Sequence, residues 1–125
     1  MKDSISHLHV VCQDWTRELE FYKNEIPFFK KRLEEIVSKN TSTEIRSESE
    51  HFENKFHIMN THFDELLHDI NLKNESLLRE AATKPTYINL KMIENDDDLQ
   101  ALMDYTASDF NNTRKEFYTF LAKYL

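Results

Sequence analysis

ISHLHVVCQDWTRELEFYKNEIPFFKKRLEEI, residues 5–36, decides the fold. Within it Ile5, Leu8, Cys12, Trp15, Leu19, Tyr22, Ile26, Phe29, Leu33 and Ile36 follow one another at alternating steps of three and four, and every one is apolar. That spacing keeps a single apolar stripe on one face of an α-helix, which must bury against partner helices. The spacing predicts helix A over residues 4–39, with Asp3 or Ser4 as its N-cap and a length of about 54 Å at 1.5 Å per residue. Pro27 interrupts the backbone donors, but it falls off the stripe, so the expectation is a bend and not a break.

Outward from this stretch the same logic continues. Thr41-Ser42-Thr43-Glu44 has the form of a capping box, with Thr41 as N-cap and Glu44 reaching back from the third position. The link from helix A is then a residue or two around Asn40, which makes helices A and B antiparallel neighbours. Helix B, over 42–72, carries Ile45, Ser49, Phe52, Phe56, Met59, Phe63, Leu66 and Ile70 on its stripe. Asn71 to Asn74 either end it or let it run on to Thr83. Leu78, Ala81, Ile88 and Met92 hold a helical phase for a third helix over 75–93, kinked at Lys84-Pro85. Asp97 and Gln100 form a second capping box, and acids here favour the positive end of the helix dipole. Helix D over 97–125 has the stripe Leu99, Met103, Thr106, Phe110, Thr113, Phe117, Phe120 and Tyr124. The fold class expected is therefore all-α, an antiparallel up-down four-helix bundle with a long first helix and a kinked third. The alternative merges the second and third into one, giving three long helices.

Composition narrows the choice further. None of the 125 residues is glycine, which at average usage happens in about one random chain in ten thousand. Tight turns, strand bulges and phosphate-cradling loops draw on glycine, so they are largely closed to this chain, and a dinucleotide fingerprint cannot be written without it. Charged residues make up 31% and aromatics 12%, nine of them Phe, so there is enough apolar surface to build a core. The length suits one domain, 1–125. A net charge of −7 repels nucleic acid. No apolar run approaches the length of a membrane span. Cys12 is the lone cysteine, and the expected location is cytoplasmic.

Six histidines and 23 acids in a helical bundle raise the question of a metal pair. Ferritin-like sites need Glu-x-x-His motifs on two helices. The chain has one, Glu65-Leu66-Leu67-His68, and the core phase of Leu66 turns Glu65 and His68 outward. A hemerythrin-like site needs His pairs four apart, and none exists. Glu53, His57, His62, Glu65 and His68 form the alternative metal-binding set; the reading favoured is no metal and no cofactor. The acids from Glu94 to Asp109 read as helix-start acids and a solvated face. Cys12 lies on the core stripe, where burial keeps a thiol protonated. No serine or cysteine sits in a local nucleophilic arrangement, so enzymatic function is not expected. Thr106, Thr113 and Ser49 break the core stripes with hydroxyls that either bond one turn back or line a small pocket for an apolar ligand.

Phe21 and Phe28 lie seven apart on helix A, well off its seam, and Ile58 and Leu72 are similarly off the seam of helix B. In a four-helix bundle each helix touches two neighbours, which would bury them as a widened stripe. Left exposed, Phe21 and Phe28 become the candidate interaction residues. The function expected is a non-enzymatic helical module that binds another protein or itself as a homodimer. The alternatives are the metal set above and an apolar-ligand pocket.

Overall fold

A computed structural model describes the backbone of residues 2–83 and 90–125, with side chains from 6–80, 82 and 98–125. It contains three α-helices, α1 (Lys2–Lys39), α2 (Thr43–Thr83) and α3 (Leu90–Tyr124), and no strand among the described residues. The all-α expectation therefore holds, in the three-helix form and not the four-helix form.

The difference has a physical origin in α2. Nothing between Asn71 and Thr83 breaks a helix: neither glycine nor proline occurs there. Asn71 is exposed and its amide donates to Glu75 one turn on, at 3.4 Å. The seam phase carries through from Ile70 to Leu77, which is fully buried, whereas Leu78 is half exposed. A separate third helix had placed Leu78 on the stripe; continuity of α2 moves that role to its neighbour. The expected kink at Lys84-Pro85 lies outside the described residues, as do the side chains of Ala81, Ile88 and Met92. Helix α3 begins at Leu90, so Asp97 sits inside it and is not its N-cap.

The other ends follow local chemistry. The Arg46 N–H donates to the Ser42 carbonyl at 3.1 Å, which makes Ser42 the N-cap of α2, one residue later than the capping box implied. Asn40 closes α1 by donating its side-chain amide to the Ile36 carbonyl at 2.8 Å, satisfying one of the orphan acceptors of the last turn. Helix α1 runs unbroken through Pro27. The missing donor there is tolerated because Pro27 faces solvent, where water can bond the freed carbonyl.

The register of the bundle is set by aromatic layers. In one, Phe29 of α1, Phe56 of α2 and Phe117 of α3 meet with ring centroids 5.1–5.2 Å apart. In the other, Tyr22 stacks on Phe110 at 4.3 Å and approaches Phe63 at 5.6 Å. Moving between the layers takes seven residues forward along α1 and α3 and seven backward along α2, so α1 and α3 run parallel and α2 runs against both. Phe52 and Phe120 extend the first layer towards the α1–α2 turn. Helices α1 and α2 approach each other more closely than either approaches α3, which stands off behind its Phe side chains.

Burial pushes the Tyr22 phenol above its ordinary 10.0, helped by its hydrogen bond to Glu18 at 2.5 Å. The folded state holds the protonated phenol, so this contribution to stability is present below pH 10 and is lost as pH rises beyond it.

Phe117 touches rings of both other helices and is fully buried. Phe117→Ala should lower the unfolding free energy by about 3–5 kcal/mol. Urea denaturation followed by circular dichroism measures this.

Candidate interaction surface

With the seams of α1, α2 and α3 turned inward, the residues between them are left to solvent. On α1 the seam positions Leu8, Cys12, Trp15, Leu19, Tyr22, Ile26, Phe29, Leu33 and Ile36 are all buried. Phe21 and Phe28 lie on the opposite side and are 52% and 66% exposed. The widened-stripe reading required a second neighbour for α1 on that side, and none of the described residues covers it. Ile58 and Leu72 on α2 are likewise exposed.

Around the two phenylalanines the helix surface is charged and locally paired. Arg17 reaches Asp14 at 3.8 Å and Arg32 reaches Glu35 at 3.1 Å. Tyr118 of α3 is half exposed, its ring edge-on to Phe29 at 6.0 Å.

A second region lies in the groove between α2 and α3, lined by residues that include Lys55, His57, Ile58, His62, Glu65, Tyr105 and Asp109. Two polar contacts tie its walls together. Lys55 bonds Asp109 at 3.2 Å. His62 Nε2 lies 3.1 Å from the Thr106 hydroxyl, which itself donates to the Leu102 carbonyl at 2.7 Å. With its proton committed, that hydroxyl accepts, so His62 Nε2 is the donor. Thr106 thus bonds one turn back and latches α2 to α3.

The five residues of the metal-binding alternative do not all meet: His57, His62 and Glu65 line this groove, while Glu53 and His68 are not among its lining. Glu53, His57, Glu65 and His68 are exposed, and His62 is held by Thr106. Leu66 is buried, which turns Glu65 and His68 outward. Among the described residues no three of His, Cys, Asp and Glu gather closely enough to hold a metal ion. Of the acidic stretch, Asp104 accepts from Gln100 at 2.9 Å and Asp109 pairs with Lys55, while Asp98 is exposed.

The remaining candidates are structural in setting. Cys12 is 2% exposed. Ser49 is buried with its hydroxyl unpartnered, beneath a groove between α1 and α2 lined by Lys30, Arg46 and Glu50 among others. Thr113 is buried on the α3 seam. Besides the two pairs across the α2–α3 groove, sequence reading missed Lys23 with Asp64 and His9 Nδ1 with the Asn74 side-chain oxygen at 2.6 Å, which join α1 to α2. Neither spacing announces itself in sequence, because each partner comes from a different helix.

No protein-family model, curated protein or solved structure matches the chain. Among the described residues no helix is long and apolar enough to cross a membrane.

Two outcomes follow for this region. Thr106→Val keeps the shape but removes the acceptor of His62, and should cost about 1 kcal/mol of stability in urea unfolding. Thermal melting should be unchanged by Zn²⁺, Mn²⁺ or Fe²⁺, since only a ligand that prefers the native state raises the midpoint. A rise that His57→Ala and His68→Ala abolish would reinstate the metal set.

Proposed function

We propose that the protein is a non-enzymatic helical-bundle module of the cytoplasm that binds another protein, or a second copy of itself, through the outer face of α1. The observation that carries this reading is the exposure of Phe21 and Phe28 on a helix whose core seam is already complete. Neither ring is needed to close the bundle. Burying a Phe side chain yields about 1.5–3 kcal/mol, so two unused rings on one rigid helix offer a substantial drive for association. Their helix also supplies rigidity: a partner would dock against a surface already ordered, with little further entropy to lose.

Charge supports a protein partner over a nucleic acid. The chain carries −7 overall, and the face around the two rings mixes Asp14, Arg17, Arg32 and Glu35 without a basic patch. The buried, lone Cys12 suits a reducing compartment.

A photo-crosslinking phenylalanine analogue placed singly at Phe21, at Phe28 and at exposed Asn54 on α2 tests the reading in living cells. Discrete crosslinked species should form from positions 21 and 28 and not from 54. A folded, expressed protein that crosslinks from neither Phe position would defeat it.

A further inference from the structure

The layers of one ring per helix are not continued towards the end of α1. Seven residues on from Phe29 along α1, and seven back from Phe56 along α2, the register sets Ile36 level with Ser49. Where both layers take a ring from α2, this level takes one of the shortest side chains. A cleft of about 530 Å³ opens here between α1 and α2, a size typical of small-molecule sites. Leu33 and Val37 of α1 give it an apolar wall, and buried Ser49 of α2 lies at its base.

Ser49 carries the unmet demand of this cleft. It is 4% exposed, and its hydroxyl has no hydrogen-bond partner. A hydroxyl inside a helix can be satisfied by the carbonyl one turn back. Those of Thr16, Thr61, Thr106 and Thr119 are, at 2.7–3.2 Å. Ser49 makes no such bond to Ile45. Buried polar groups in native folds are almost always hydrogen-bonded, so an unbonded hydroxyl lining a cleft marks a place for an acceptor from outside the chain.

The charges around it are of both signs. Arg46 and Glu53 stand three residues before and four after Ser49, on the same face of α2, with Glu50 beside them. Across the cleft, Lys30 and Glu34 stand one turn apart on α1. None of these five makes an ion pair among the described residues. A ligand ion of one sign would meet a like charge on each wall, which opposes binding. A molecule bearing both signs finds a complement for each.

The geometry points to a site for a small zwitterion with an aliphatic side chain, of the α-amino-acid class. Its carboxylate accepts from the Ser49 hydroxyl and from Arg46, whose guanidinium binds carboxylates through two parallel N–H donors. Its ammonium faces the acids Glu50 and Glu53, and its side chain covers Leu33 and Val37. This cleft does not include Phe21 or Phe28, so the site is independent of the interaction reading.

Amide chemical shifts during titration of the folded chain with L-leucine test the site. Saturable shifts should be confined to the turns that carry Lys30 to Val37 and Arg46 to Glu53. 4-Methylpentanoate, which lacks the ammonium, and 3-methylbutylamine, which lacks the carboxylate, should each bind at least about tenfold more weakly, since each leaves one set of charges unmatched. Ser49→Ala and Arg46→Gln should weaken leucine by a similar factor, with circular dichroism confirming that both variants fold. Either analogue binding as tightly as leucine would overturn the zwitterion assignment. No saturable shift up to the solubility of leucine, or leucine binding unchanged by Ser49→Ala, would overturn the site.

Discussion

The bundle depends on two layers in which each helix contributes one aromatic ring: Tyr22, Phe63 and Phe110 in one, Phe29, Phe56 and Phe117 in the other. A stripe of Leu and Ile can slide by a heptad and still be buried, because one aliphatic residue resembles the next. Large planar rings interlock less forgivingly, and offset or edge-on contacts of this kind add about 0.5–1.5 kcal/mol each beyond area burial. Two such layers seven residues apart fix the relative heights of all three helices. They also place Lys55 against Asp109 and His62 against Thr106, contacts that depend on register and would be lost with a slip.

From that register follows what is left outside. Three helices bury one seam each, and a complete seam leaves no second apolar neighbour for α1. The chain nevertheless carries Phe21 and Phe28 where a four-helix bundle would have needed them. Their exposure and the absence of a fourth helix among the described residues are therefore the same fact seen from two sides. A surface that a fourth helix would have covered is open to a helix from elsewhere.

Much of this architecture was legible from spacing alone. The α1 seam from Leu8 to Ile36 and the α3 seam from Met103 to Phe120 are buried where the periodicity put them, because a long, regular stripe on a helix admits one inward face. The division of α2 was not legible. Asn71 and Asn74 have low helix propensity, but propensity is a weak force beside the burial of Leu77 and the contact between Asn74 and His9 of α1. Both of those depend on a neighbouring helix, which local sequence does not contain. The same limit applies at Phe21 and Phe28. Their distance from the seam is plain in the sequence, but whether a neighbour covers them depends on the number of helices, and that turned on α2.

The missing glycine constrains function as well as fold. No described residue has a positive φ, and the α1–α2 connection is made without one: Asn40 bonds back to Ile36, and Ser42 opens α2 three residues beyond the end of α1. Connections this tight leave no long loop there to fold over a ligand or to present backbone amides to a phosphate. What the described chain offers to another molecule is the side chains on the outer faces of its helices. Recognition of that kind reads spacing along an axis, at intervals of three, four and seven. On α1 the interval of seven sets Phe21 and Phe28 on one such face.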